Sequence, residues 1–215
     1  MSQRKATLLV LDARSNELGP FLAGAAGVVE STEPGTLDWL AIDDGDDNYA
    51  VFDIFESQAA RDAHFSGDVA AALTERADEF LADSREPGTL GRVEHYDVLS
   101  AVPARGTEPA RLFTRIELRA VEGQGDALAE FLTAGAAVVE QTEPGTLRWF
   151  ALRNETDRNR FAIVDWFADG AGRAAHFEGS VAAALKSQAD ALVEGGWSAV
   201  LDAVQHGDVL ATVAR

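Results

Sequence analysis

The sequence predicts an α+β protein made of two ferredoxin-like βαββαβ repeats in tandem. Three observations predict it: an internal duplication, a unit length of about 100 residues, and strand-like and helix-like periodicities that alternate within each unit. The duplication is direct. FLAGAAGVVESTEPGTLDWLA at 21–41 returns as FLTAGAAVVEQTEPGTLRWFA at 131–151. DIFESQAARDAHFSGDVAAAL from Asp53 returns as DWFADGAGRAAHFEGSVAAAL from Asp165, and HYDVL at 95–99 as HGDVL at 206–210. Three blocks in the same order place one domain at 1–100 and a second at 111–215. Between them AVPARGTEPA, 101–110, has two prolines, a glycine and mixed charge, and reads as a linker.

Each element of the first unit follows from its residues. ATLLVLD, 6–12, is apolar and β-branched enough for a strand. Leu18, Phe21, Leu22, Ala25, Val28 and Val29 recur at spacings of three and four, so 17–30 is an amphipathic helix. Glu33-Pro34-Gly35-Thr36 stops it, because proline breaks a helix and glycine suits the turn. Residues 37–42 form a strand, 43–48 an acidic loop, and 49–55 the strand that returns alongside. Ser57 can cap a helix from 59 to about 65. Gly67 interrupts it, Asp68 begins a second helical piece to about 81, and 90–99 is the last strand. The order β-α-β-β-α-β is ferredoxin-like.

Such a unit has helices on only one face of its sheet. Yet TLLVL, VFDIF and, in the second unit, FAIVDWF are apolar at consecutive positions, which suits burial on both faces. Packing the two sheets on each other would hide the bare faces. The expectation is an intramolecular dimeric α/β barrel with antiparallel sheets, a symmetric dimer fused into one chain, with further homo-oligomerisation open.

Composition narrows the partners. The net charge is −18, which repels nucleic acid and anionic membranes, so neither is expected as a partner. There are no cysteines, which removes thiolate chemistry and disulfides. No apolar run approaches the ~20 residues of a membrane helix, and Asp12 and Arg14 cut short the apolar stretch near the start, so a cytoplasmic location is expected. Phosphate-cradling glycine loops, nucleophile elbows and His-Glu metal helices are absent from the sequence.

In the first unit Glu30, Glu33-Pro34-Gly35-Thr36-Leu37, Trp39, Asp53 and Arg61-Asp62-Ala63-His64-Phe65 stand in this order. In the second they are Glu140, Glu143 to Leu147, Trp149, Asp165 and Arg173-Ala174-Ala175-His176-Phe177. This pattern resembles the antibiotic biosynthesis monooxygenase superfamily, in a tandem-domain form, over almost the whole chain. The resemblance implies a dimeric α/β barrel and a cofactor-independent monooxygenase of a small aromatic substrate, quinol- or polyphenol-like, which itself supplies electrons to dioxygen. No cofactor or metal is implied. Two departures stand out. Many members carry a second histidine shortly after the first, where this chain has SGDVAAAL and EGSVAAAL. Haem-degrading members use an asparagine on the first strand, and neither first strand here contains one.

His64 and His176 are the candidate catalytic residues. An imidazole there is either a general base toward a phenolic proton or a helix-end residue packed under Phe65 or Phe177. Trp39 and Trp149 are candidate walls for an aromatic ligand, or core residues. Asp53 and Asp165, charges inside apolar strands, either orient a histidine or substrate hydroxyl or pair with Arg61 and Arg173. Phe65 and Phe177 complete the candidate substrate-binding set. His95 and His206 share a strand face with Asp97 and Asp208, but no further histidine clusters with them, so a surface or interface pair is expected. The Glu-Pro-Gly-Thr segments read as turn chemistry without a catalytic part. The alternative function is a non-enzymatic protein of the same fold that binds a small hydrophobic ligand or a partner.

Overall fold

The computed structural model describes residues 3–82, 89–106 and 108–215; residue 107 of the expected linker lies outside them. The chain forms two compact units, one of residues 1–95 and 207–215, the other of residues 96–206. In the first unit β1 (Lys5–Asp12), β2 (Thr36–Gly45) and β3 (Asn48–Phe55) combine with β8 (Val204–Ala214). The antiparallel order is β1-β3-β2-β8. In the second, β5 (Leu112–Arg119), β6 (Thr146–Asn154) and β7 (Arg160–Phe167) combine with β4 (Arg92–Val102) in the antiparallel order β5-β7-β6-β4. The compact units are therefore not the sequence repeats. Each sheet receives its fourth strand from the tail of the other repeat, and β4 runs two residues into the 101–110 segment.

The α+β, antiparallel, ferredoxin-like class is as expected. Helix α1 (Leu18–Thr32) and its twin α5 (Gly125–Thr142) bury Leu22, Val29, Leu132 and Val139 against one sheet face. They join Leu9, Leu11, Trp39 and Val51 in the first core, and Leu118, Trp149, Ala151 and Ile163 in the second. Leu8, Leu40, Phe52 and Ile54 alternate with that set and are also buried, which accounts for the run of apolar residues in VFDIF. Ser57 caps α2 (Gln58–Phe65) by accepting the Ala60 amide at 3.2 Å, and Asp169 does so for α6 (Gly170–Phe177). After Gly67 and Gly179 come α3 (Asp68–Glu75), α4 (Ala77–Phe80), α7 (Ser180–Leu192) and α8 (Gly196–Asp202).

The expected acidic loop is corrected by the structure. Strand β2 continues to Gly45 and β3 starts at Asn48, leaving a tight hairpin turn. Asp46 and Asp47 adopt φ of 52° and 60°, the left-handed pair that matches strand twist and that aspartate tolerates. Charge in a sequence suggested a solvated loop, where local turn geometry keeps the ladder going. Among the described residues no helix is long and apolar enough to cross a membrane.

Candidate proton-transfer site

Two fixed elements and one turn build the site in each unit. Strand β3 carries Asp53 on its helix-facing side, in register with Thr7 of β1 and Trp39 of β2. Helix α2 places His64 in its last turn, and the turn after α1 supplies Glu33. The second unit repeats this with Asp165 (in register with Thr114 and Trp149), His176 and Glu143.

His64 Nδ1 lies 2.5 Å from Glu33 Oε2, and His64 Nε2 lies 3.9 Å from Asp53 Oδ1. In the second unit His176 Nδ1 is 2.5 Å from Glu143 Oε2 and Nε2 is 3.4 Å from Asp165 Oδ2. Both imidazoles are 7% exposed, Asp53 2% and Asp165 0%. Each imidazole thus has a carboxylate near each ring nitrogen, all of them buried except that of Glu33, which is partly buried. A neutral ring donates from only one nitrogen, so this arrangement suits the doubly protonated imidazolium.

The electrostatics agree. Burial alone lowers the affinity of His176 for a proton. Asp165 and Glu143 outweigh it and lift the pKa to about 10. His64 is likewise raised: burial opposes, Asp53 and Glu33 prevail. Burial pushes the Asp53 carboxyl up to about 7, with His64 pulling down and Glu33 pushing up. The longer Nε2 distance in the first unit fits this, since a more distant cation compensates burial less.

The turn that looked like simple backbone punctuation builds half of each site. Thr36 Oγ1 donates to Glu33 Oε2 at 3.0 Å, and Thr146 to Glu143 at 3.4 Å. Gly35 and Gly145 let the turn lie on the helix: a Cβ on Gly35 would come within 2.7 Å of Ala60 Cβ, and one on Gly145 within 2.8 Å of Gly172 Cα. The free Glu oxygens approach Gly67 and Gly179, the residues before α3 and α7, where a helix start favours negative charge. A Cβ on Gly179 would sit 2.3 Å from Glu143 Oε1 and 2.9 Å from the His176 carbonyl. Gly179→Ala is therefore expected to push the carboxylate off the imidazole and to destabilise the protein by about 1–3 kcal/mol, readable from urea unfolding midpoints. Gly67→Ala, with 3.1 Å to Glu33 Oε1, should be milder. An unchanged midpoint in Gly179→Ala would mean the carboxylate is not held there.

Glu33 and Glu143 are the functional candidates that sequence reasoning left out. A usable signal existed: the glutamate is kept beside Pro-Gly in both copies, although neither residue of that turn needs an acid before it. The other candidates fall as follows. His64 and Asp53 come together, as do His176 and Asp165. Phe65 and Phe177 stand edge-on to their histidines, with centroids 5.4 and 5.7 Å apart, and Phe65 is 40% exposed. Trp39 and Trp149 neighbour the aspartates in register, but their rings lie in the apolar cores, and Trp149 covers Gly135 of α5. Arg61 donates to Gln58 Oε1 at 2.5 Å and to the Ala6 carbonyl at 3.5 Å. The charged neighbours that act on Asp53 are His64 and Glu33. His95 Nδ1 meets Thr7 Oγ1 at 3.0 Å and His206 Nδ1 meets Thr114 Oγ1 at 3.1 Å, with Phe65 and Phe177 standing edge-on between each outer histidine and the buried one.

Among the described residues several buried oxygens in these clusters make no hydrogen bond: Glu33 Oε1, Asp53 Oδ1, Glu143 Oε1 and both Asp165 Oδ atoms, although Asp53 Oδ1 and Asp165 Oδ2 face the histidines as ion pairs. Leaving such atoms unpaired is costly, and it marks where a donor from a ligand or water would be stabilised. Because each imidazole presents its two nitrogens to different carboxylates, the trio offers no common point for a cation. Among the described residues no group of three or more His, Asp or Glu is arranged to hold a metal. Two surface depressions of about 640 and 490 Å³, one beside Arg119 and Glu194 and one beside Arg111 and Asp169, include none of these residues.

Fold and site together describe a ferredoxin-like scaffold with a duplicated buried Glu–His–Asp cluster. Residues 112–187 match the sequence profile of the antibiotic biosynthesis monooxygenase family. The match lies within the second repeat and is to the family that the resemblance implied. Over the full length the fold is that of a candidate monooxygenase from Fusobacterium nucleatum subsp. nucleatum, with a TM-score of 0.82 at 13% identity, covering 100% of this chain and 95% of the other. A candidate monooxygenase from Lactobacillus acidophilus gives 0.81 at 12%, covering 99% and 97%. An anthrone oxidase-like protein gives 0.60 at 12%, covering 99% and 93%. No protein of curated function matches the chain.

Proposed function

We propose that the protein is a cofactor-independent monooxygenase of a small electron-rich aromatic, with proton transfer at the two Glu–His–Asp clusters. The observation that supports this reading is a buried Asp carboxylate facing a histidine held by a second carboxylate, repeated in both units. Asp53, with its pKa brought to about 7, has the proton affinity suited to a general base near neutral pH. It would accept the phenolic proton. The imidazolium of His64 or His176 would stay protonated and stabilise the anionic, electron-rich substrate for reaction with dioxygen. This gives the histidines an electrostatic part and the aspartates the base, whereas sequence alone pointed to histidine bases. Phe65, edge-on to His64 and partly exposed, would be the side chain a ligand passes or stacks on.

A single experiment tests this: oxygen uptake with a panel of quinols and anthrones, the latter suggested by the anthrone oxidase-like relative of the fold. Wild type should consume oxygen, and His64→Ala/His176→Ala should lose most of it. Equal uptake by both, or none by either across the panel, removes the proposal. The near-complete burial of Asp165 favours a second reading, a non-enzymatic binder in which the trio only holds the fold together. That reading expects no uptake at all and a loss of stability in the histidine variant. The acidity and the lack of a membrane-crossing helix among the described residues agree with a cytoplasmic small-molecule role rather than with nucleic acid.

A further inference from the structure

We propose that Arg215 and Arg105 are positioning residues that aim Glu33 and Glu143 at the two histidines, each arginine being supplied by the tail of the repeat that does not contain the glutamate it holds. The tails of the two repeats resemble each other: AVPAR at 101–105 and ATVAR at 211–215 each end in arginine, one residue out of step with the HYDVL and HGDVL blocks before them. Arg105 falls in what composition alone read as linker.

In the first unit, the backbone amide of Arg215 donates to the Leu37 carbonyl at 2.9 Å, extending the β8 pairing with β2. Its guanidinium then reaches across the end of α1. Nη2 donates to the carbonyls of Glu30 at 2.5 Å and Val29 at 3.4 Å. Nη1 donates to the Glu33 carbonyl at 3.1 Å and to that of Thr36. In the second unit Arg105 Nη1 donates to the Glu143 carbonyl at 3.2 Å and Nη2 to the Glu140 carbonyl. Glu30 and Glu140, Glu33 and Glu143 are the matching residues of the repeats.

A cation at a helix C-terminus is common and satisfies orphan carbonyls. What exceeds a cap is where the fork lands. It bonds the backbone of Glu33, whose side chain is the histidine's partner. In the first unit it also bonds Thr36, whose hydroxyl donates to that same carboxylate. A guanidinium can span several carbonyls with fixed geometry, which an ammonium cannot. The turn's backbone is thus pinned from below, and the 2.5 Å contact between Glu33 and His64 depends on where that backbone sits. The consequence is reciprocal dependence: each cluster is set by an arginine from the other repeat, whatever reaction the clusters perform.

The test follows the two histidines separately by NMR titration of their ring nitrogens in the full chain. Arg215→Ala should lower the proton affinity of His64 about tenfold, about one pH unit, and leave His176 unmoved. Arg105→Ala should do the reverse. Arg215→Lys should give an intermediate shift at His64 only, which keeps the inference testable should the alanine variant fail to fold. If stability falls but neither histidine moves, the arginines are only helix caps. If both histidines move together in each variant, the effect is global. Either result overturns the proposal.

Discussion

Asp53→Asn combined with Asp165→Asn is expected to lower the oxygen-consuming turnover by about 10²–10⁴-fold, the range that a positioned acid or base contributes. Asparagine keeps the shape and can still face the imidazole, but it cannot take a proton. The loss should fall on kcat rather than on KM, because the group acts while charge develops on the substrate. The single variants separate the two sites. Asp53 has the more distant imidazolium, and its carboxyl is lifted to about 7. Activity that requires its ionised form should therefore rise with pH through about 7 and fade on acidification below it. A rate of the double variant within a factor of two of wild type would remove the aspartates from the mechanism.

The second large effect is on stability. His176 binds its proton with a pKa of about 10 in the folded chain, against an ordinary 6.5. A raised pKa contributes stability that is fully present below about 6.5 and is lost as pH rises through about 10. The full shift corresponds to a contribution on the order of 5 kcal/mol. Asp53 acts in the same direction at lower pH: its carboxyl is raised from 3.8 to about 7, so folding loses stability as pH climbs through about 7. Urea midpoints should therefore fall steadily from weakly acid to alkaline solution. His176→Phe should flatten the alkaline part of the curve. A wild-type midpoint that is constant between pH 6.5 and 10 would mean that His176 is not held as a cation.

Much of this protein can be read from its residues, and the failures have physical reasons. The strands and helices follow from periodicity, Ser57 caps α2 as its side chain predicts, and the duplication lays out which segments are equivalent. What the duplication cannot tell is which strand neighbours which. Each repeat holds a complete set of four strands, so nothing local distinguishes a sheet closed by its own tail from one closed by the other's. The acidic run at 43–48 reads as a loop because charge suggests solvent, whereas two left-handed aspartates let the hairpin continue.

The site was half legible. His64 and Asp53 stand out as polar residues in apolar surroundings, but Glu33 hides inside a turn whose proline and glycine explain it sufficiently. Its partner lies 31 residues away, and the packing of α2 on the turn that follows α1 brings them together. An isolated imidazole near neutral pKa suggests a base, while carboxylates beside both of its nitrogens favour the cation.

The most direct test of this account is the protonation state of the two buried histidines, read from ring-nitrogen NMR shifts at pH 8. Both nitrogens of His176 should carry protons at that pH and keep them to well above pH 9, and His64 should lose its second proton at a higher pH than an ordinary imidazole. A neutral His176 at pH 8, or a His64 that titrates no higher than a free imidazole, would contradict the carboxylate clamp on which the proposed chemistry rests.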